Sequence, residues 1–304
     1  MLIKFWESMG TKVADRWLEY IFGPAFLFWA GGLGLYAWQI GWQQAVNDVQ
    51  ALAPFQQGSW IVLGLLVLVF SSVVMRALRF TFLRLLEGYW PWPLGYLRRF
   101  IVSLRKPQFE KKYAELRRLA SIAPKDQTSE EHERFLALDR WAHMHPVNPR
   151  DLLPTALGNI LRAREYTPER KYGLDAIICW ARLWSLLPET FRADLTEARA
   201  SLDRLAELFF WGVLFLFWGF ITPWALVIAA LWMATTYWIA CQSAGTFGDL
   251  LESAFDLHRF LLYDAMGWRR PKNTKEEKEL GAQLTEYLWR GTSPQPLTYQ
   301  SREK

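Results

Sequence analysis

Two stretches of this 304-residue chain, 17–75 and 205–258, contain none of its 35 lysine and arginine residues. Cysteine is scarce as well, with only two residues, so a disulfide-stapled secreted domain is excluded. A hydrophobic content of 52% excludes a disordered chain. The sequence has no G-x-x-x-x-G-K, no G-x-S-x-G and no dinucleotide-binding glycine pattern after a strand. The uneven distribution of charge, with this hydrophobic content, excludes a plain soluble globular enzyme.

Four apolar runs lie almost entirely within the stretches that have no basic residue. They cover 21–42, 59–78, 205–221 and 224–242. A helix rises about 1.5 Å per residue and the hydrocarbon core of a bilayer is about 30 Å thick, so each run is long enough for a membrane span, the third only just. We therefore predict an all-α protein with four transmembrane helices, arranged as hairpins at 21–78 and 205–242.

Positive charge lies on one side of every predicted span that can be compared. Three basic residues precede the first run, 42–58 has none, 76–204 has 23, and the segment after 242 has nine. Because cytoplasmic loops are enriched in Lys and Arg, we expect both termini and the large middle region to be cytoplasmic. The predicted location is the cell inner membrane, crossed by a multipass chain.

The segments outside the spans have the pattern of helices separated by turns. One apolar stripe continues from Phe191 to Leu205 without a breaker, so a single long helix is expected to enter the third run. Gly245 and Gly248 are expected to form a flexible junction after the fourth run. The predicted segments are a cytoplasmic interfacial helix at 1–20, a basic juxtamembrane segment at 79–106, a helical cytoplasmic domain at 107–204, and cytoplasmic C-terminal helices with a tail at 243–304.

The juxtamembrane segment combines basic residues with aromatic and proline residues at 89–93. Amphipathic segments of this kind lie in the headgroup plane of a membrane, with their charges on anionic lipid. A role in orienting the chain alone is the simpler interpretation. Single-stranded nucleic acid also binds basic and aromatic residues, but no nucleic-acid fold signature accompanies them, so it is not favoured as a partner. The predicted headgroup contacts are Arg76, Arg79, Arg84, Arg98, Arg99, Arg105 and Lys106.

One cluster, Asp139, His143 and His145, has the residue types of a metal site. Asp139 and His143 are four residues apart and share one face of a predicted helix. No cysteine or further acid accompanies them, so a capping or surface role is favoured over metal binding. The nearby H-E-R-F-L at 132–136 lacks the second histidine of the zinc-hydrolase motif. We predict no metal, no cofactor and no catalytic residue.

Five polar residues lie on the most apolar helices of the predicted cytoplasmic domain. A buried charge is costly unless it is paired, so an ion pair between Asp175 and Arg182, or between Arg162 and Asp175, is the favoured interpretation. The alternative is a polar pocket for a small anionic ligand. The five residues are Asn159, Arg162, Glu165, Asp175 and Arg182.

Three short runs, L-G-N-I-L-R-A at 157–163, Y-G-L-D-A at 172–176 and R-L-W-S-L-L-P at 182–188, belong to the same region. With these runs the chain resembles uncharacterised bacterial multipass membrane proteins that carry a soluble helical insertion. The resemblance covers about 50 residues in this region. It implies a bacterial, membrane-bound protein and no particular activity.

Three functions are compatible with this organisation. The favoured one is a non-enzymatic inner-membrane protein whose cytoplasmic helical domain binds a protein partner, a second copy of the chain or a ligand. The second is a signal-gated effector that perturbs the membrane or forms a pore, as in phage defence, with the long helix through 190–221 transmitting the signal. A membrane-bound enzyme that uses the histidine cluster ranks last.

Overall fold

The computed structural model describes residues 23–291 and is helical throughout, without a β-strand in that range. The all-α prediction is therefore confirmed. The predicted interfacial helix at 1–20 and the tail after residue 291 lie outside the described residues. The α-helices are α1 Pro24–Ile40, α2 Trp42–Gln50, α3 Pro54–Ala77, α4 Arg79–Glu87, α5 Gly95–Ala120, α6 Ser129–His143, α7 Ala156–Glu165, α8 Thr167–Tyr172, α9 Ala176–Leu186, α10 Glu189–Phe215, α11 Trp224–His258, α12 Phe260–Met266 and α13 Thr274–Arg290.

The described chain forms two compact units. We call residues 23–83 and 203–240 the apolar unit, and residues 84–202 and 241–291 the helical body. Three helices belong to both units: α4, α10 and α11 each run across the division without a break. The uninterrupted α10 confirms the helix expected to continue into the third apolar run.

Two helices of the described chain, α3 and α11, are long and apolar enough to cross a membrane. Only 17% of the most apolar window of α3 and 22% of that of α11 is buried. Apolar side chains therefore cover much of their surface, as on a lipid-facing helix and unlike the core helix of a soluble protein. The first predicted span corresponds to the 17-residue α1.

Aromatic residues and close backbone approach hold the apolar unit together. The ring of Phe28 on α1 lies 5.3 Å from that of Trp211 and 5.9 Å from that of Trp218, measured between centroids. A Cβ at Gly32 would lie 1.8 Å from the Trp218 indole, so only glycine fits this contact. Between α1 and α3, the indole N–H of Trp29 donates to Ser71 Oγ at 3.3 Å.

Three local expectations are corrected by the structure. The connection between the first two predicted spans, at 42–58, is expected to be a loop from the hairpin arrangement but is largely helical, because α2 begins directly after Gly41, which has a φ of 94°. In the third run the α-helix ends at Phe215, before the end of the run, and a 3-10 helix follows over Leu216–Phe220. The flexible junction after the fourth run is wrong, since α11 continues through it. A Cβ at Gly248 would lie 2.3 Å from the Arg164 side chain, so this glycine serves close packing.

The helical body is built around a core to which helices distant in the sequence contribute. Leu183 of α9, Phe255 of α11 and Leu284 of α13 are fully buried in it. The apolar stretch at 172–187 supplies α9, which is too short and too charged to span a membrane and instead contributes Leu183 to this core. The start of α6 also follows the sequence, because Thr128 caps it and exchanges hydrogen bonds with Glu131.

A second, smaller core lies between α5 and the 3-10 helix Pro149–Asp151, and it includes Phe109, Tyr113 and Leu152. Helix α5 runs without interruption through Pro107, across the predicted division between 79–106 and 107–204. Proline lacks an N–H and cannot bond to the carbonyl four residues earlier. The buried side chains Phe109 and Tyr113 hold the helix together beyond that missing bond.

Candidate functional site

Arg84 and Arg105, two of the basic residues predicted to contact lipid headgroups, are engaged within the helical body. Arg84 Nη1 lies 3.1 Å from Glu87 Oε2, and the Glu87 carboxylate is almost completely buried. The guanidinium of Arg105 donates to the carbonyl of Pro154 at 2.8 Å. Both side chains therefore stabilise the helical body in addition to any contact with lipid.

Another of these basic residues, Arg79, forms an ion pair with Glu207 inside the apolar unit. The Glu207 side chain is 4% exposed and that of Arg79 is 33% exposed. The indole N–H of Trp211 also donates to Glu207 Oε1, at 3.5 Å. Next to the pair, the rings of Phe82 and Phe210 stack 4.2 Å apart. Glu207 is the third residue of the run at 205–221, and sequence reasoning missed it as a partner for Arg79.

Three of the remaining basic residues, Arg98, Arg99 and Lys106, lie on the first half of α5, while Arg76 lies in the last turn of α3. Arg99 stacks on the neighbouring Tyr96 ring at 4.8 Å. Lys106 has a distant partner, the exposed carboxylate of Glu110 at 3.9 Å. The charges on α5 are thus directed largely outward.

An exposed apolar stripe runs along the same half of α5. Leu97, Phe100 and Leu104 are 47%, 60% and 60% exposed, and Trp92 just before the helix is 81% exposed. These three helix residues are spaced three and four apart and share one face. Large apolar side chains beside basic residues are the composition of a helix that lies in a membrane interface.

The histidine cluster does not converge on a single point. His143 Nε2 lies 4.0 Å from Asp139 Oδ2, and the two side chains are 58% and 50% exposed, respectively. His145 instead stacks on Trp141, with ring centroids 4.3 Å apart, and its Nδ1 donates to the Trp141 carbonyl at 2.8 Å. Burial lowers the pKa of His145. No group of three metal-ligating side chains occurs in the described residues.

Asn159 has a structural role. Its Oδ1 accepts from the backbone N–H of Leu153 at 2.8 Å, and its Nδ2 donates to the Leu153 carbonyl at 3.0 Å. The Asn159 side chain is buried, so this amide satisfies both polar groups of one backbone residue away from water. The contact fixes the loop before α7 to the helix itself.

The ion pairs predicted for the cytoplasmic domain are wrong. Asp175 caps α9, with its Oδ1 accepting from the N–H groups of Ile177 and Ile178 at 2.8 and 3.0 Å. Arg182 donates to the carbonyl of Ile178 at 2.9 Å on an exposed face of α9. Neither pair forms, because each side chain finds a backbone partner within its own helix.

Arg162 and Glu165 stay close to each other on α7. Their side chains approach to 3.9 Å, and Arg162 also donates to the hydroxyl of Tyr89 at 3.2 Å. Burial raises the pKa of Glu165, and the Arg162 charge acts in the opposite direction. The five polar residues are therefore distributed over separate local contacts within the described structure.

A network that sequence reasoning missed joins α11 to α7 and α8 in the helical body. Arg164 Nη1 and Lys171 Nζ each lie 2.6 Å from the Glu252 carboxylate. Tyr172 donates to Asp256 at 2.6 Å, and burial with this hydrogen bond raises the pKa of Tyr172 to about 12. Glu252 and Asp256 are four residues apart and share one face of α11, and this spacing of two acids was the sequence signal that could have indicated the network.

The buried thiol of Cys179 is unreactive in this environment. Burial raises its pKa to about 11, and its only described polar contact is with Thr285 Oγ1 at 3.9 Å. A thiol at that pKa carries almost no thiolate near neutral pH. Cys179 therefore serves the core.

Comparison of the chain with protein families, with curated proteins and with solved structures finds no match. Within residues 23–291, the contacts described above leave the exposed basic and apolar surface of α5 without a role.

Proposed function

We propose that this chain is a non-enzymatic multipass protein of the bacterial inner membrane, with four spans and with both termini in the cytoplasm. Its cytoplasmic helical body binds a protein partner, a second copy of the chain or a ligand. The observation that carries the proposal is the exposed apolar surface of α3 and α11. Burial of such a surface in lipid is favourable, whereas its exposure to water is not.

The distribution of charge supports the proposed orientation. Basic residues are absent from 17–75 and resume with Arg76, in the last turn of α3; in the second stretch they resume with Arg259, directly after α11. Because cytoplasmic segments are enriched in Lys and Arg, this pattern supports an orientation with both of these ends on the same side of the membrane. This arrangement requires α1 and the third run to complete the hairpins with α3 and α11.

The first half of α5 supports contact with anionic lipid. It begins 18 residues after α3 ends at Ala77, so it lies near the membrane if α3 spans it. Its exposed Leu97, Phe100 and Leu104 suit the acyl boundary, and its basic residues suit anionic headgroups. We infer that the helical body rests on the inner leaflet through this helix.

A second candidate function, a signal-gated pore-forming effector, is favoured by one observation. The unbroken α10 joins residues of the helical body to the apolar unit, so a displacement of its first half has a rigid path to its second half. A membrane-potential dye in cells expressing the chain tests this idea. Loss of potential on activation supports a pore, and an unchanged potential under all conditions excludes it.

Membrane fractionation tests the primary proposal. Membranes from cells expressing the chain are washed with alkaline carbonate, which removes peripheral proteins and retains spanning ones. We expect the chain to stay in the pellet and to enter solution only with detergent. Release by carbonate would contradict transmembrane insertion. Purification in mild detergent, with crosslinking and mass measurement, then shows whether a second copy or another protein is bound.

A further inference from the structure

We propose that the helical body has a discrete binding site for the phosphate group of an anionic membrane lipid. The site is a cavity of about 670 Å³ between α5 and the segment at 149–152. This inference rests on the proposed function, since it requires α5 to lie at a membrane surface. The cavity includes a residue, Arg150, that comes from outside the juxtamembrane segment.

The lining of the cavity is strongly basic. Arg98, Arg99 and Lys106 contribute from α5, and Arg150 contributes from the 3-10 helix at Pro149–Asp151. None of the residues that line it is acidic. Four cations around one space create a positive potential that is relieved by an anion. The fold thus brings together charges that are separated by more than forty residues in the sequence.

The cations of the cavity have few partners within the protein. Within residues 23–291, no carboxylate forms an ion pair with Arg98, Arg99 or Arg150. Lys106 has only the exposed Glu110 at 3.9 Å. Arginine binds phosphate oxygens in pairs through its planar fork, and these charge-assisted hydrogen bonds are among the strongest available to a side chain. A phosphate group therefore fits the cavity better than a carboxylate or a neutral ligand does.

The surroundings of the cavity favour a lipid as the source of the phosphate. Trp92 and Tyr96 line it while remaining 81% and 63% exposed. Amphipathic rings of this kind prefer the headgroup level of a bilayer. The exposed Leu97 and Leu104 on the same helix suit acyl chains, whereas a soluble phosphate or a nucleic acid gains little from aliphatic side chains.

The test uses the full chain in phosphatidylcholine nanodiscs, titrated with dioctanoyl phosphatidic acid, with bound lipid counted by native mass spectrometry. Arg98→Gln and Arg150→Gln remove one cation each from the cavity, and Lys111→Gln removes an exposed cation from α5 outside it. Loss of one charged hydrogen bond corresponds to about a tenfold change in affinity. We expect each cavity variant to bind about tenfold more weakly and Lys111→Gln to match the wild-type chain.

Each other outcome overturns the inference. Equal binding by the cavity variants and the Lys111→Gln control would show that general surface charge is responsible. Displacement of the lipid by equimolar glycerol 3-phosphate would identify a site for soluble phosphate, and displacement by an oligothymidine strand would identify nucleic acid. If the chain inserts into the discs and only the cavity effect is missing, the inference fails while the membrane assignment stands. If the chain does not insert at all, both fail.

Discussion

Replacement of Arg79 by glutamine is expected to destabilise the apolar unit more than replacement of its partner Glu207. The reason is the unequal burial of the two side chains, 33% exposed for Arg79 and 4% exposed for Glu207. Arg79→Gln leaves a carboxylate without its countercharge in a site that water hardly reaches. Glu207→Gln leaves a guanidinium that solvent reaches at one third of its surface.

The magnitudes follow from this asymmetry. Breaking a buried ion pair by removing one partner costs about 3–5 kcal/mol, because the remaining charge stays desolvated. We expect Arg79→Gln to lower the free energy of unfolding by about 3 kcal/mol, the lower end of that range, since the Trp211 indole still donates to Glu207. For Glu207→Gln, solvent at Arg79 limits the loss to about 1 kcal/mol. The double variant is expected to resemble Glu207→Gln.

The measurement is unfolding of the purified chain in dodecylmaltoside micelles by added sodium dodecyl sulfate, followed by tryptophan fluorescence. Wild type, both single variants and the double variant form a thermodynamic cycle that isolates the coupling between the two residues. Equal losses in the two single variants, or additive losses in the double variant, would refute the argument from burial.

Three further outcomes are expected in the same unfolding assay. Gly32→Val should lower the free energy of unfolding by more than about 2 kcal/mol, because a Cβ there would lie 1.8 Å from the Trp218 indole. Gly34→Val is the control and should change stability far less, since no atom lies within 4 Å of a Cβ at Gly34. Equal effects of the two substitutions would contradict the packing. Asn159→Ala should cost about 2–3 kcal/mol, since it leaves two buried backbone groups without partners; a cost near zero would contradict the assigned role. Burial lowers the pKa of His145, so the folded state favours the neutral ring and stability should fall as pH drops below about 6.5. His145→Gln should reduce that loss of stability. A variant with the same pH profile as the wild-type chain would contradict the assignment to His145.

Much of the helical framework is predictable from local sequence signals. The Thr128 cap and the apolar stretch that forms α9 are visible without a structure, because they depend on residues close in the chain. The continuity of two helices, one through a proline and one through a glycine, is not predictable in this way. Pro107 and Gly248 both lie within continuous helices, since tertiary contacts decide the outcome. Phe109, two residues after Pro107, packs with Leu152 in the smaller core, and the Arg164 side chain lies against Gly248.

The candidate site is only partly visible in the sequence. Arg98, Arg99 and Lys106 stand out as basic residues on an amphipathic segment. Arg150 does not, because its approach to α5 depends on the tertiary packing around Phe109. The ion pair expected for Asp175 is absent for a local reason. An acid directly before an apolar run can cap the helix, and Asp175 accepts hydrogen bonds from its first turn instead of pairing with a distant cation.

The number of membrane spans is the central claim, and reporter fusions after residues 150 and 291 test it most directly. Alkaline phosphatase is active only in the periplasm, and green fluorescent protein fluoresces when it folds in the cytoplasm. With four spans, both positions are cytoplasmic, and a fusion after residue 50 is periplasmic. If only α3 and α11 span the membrane, positions 150 and 291 lie on opposite sides. We predict fluorescence and no phosphatase activity at both positions; phosphatase activity at either one would contradict the four-span account.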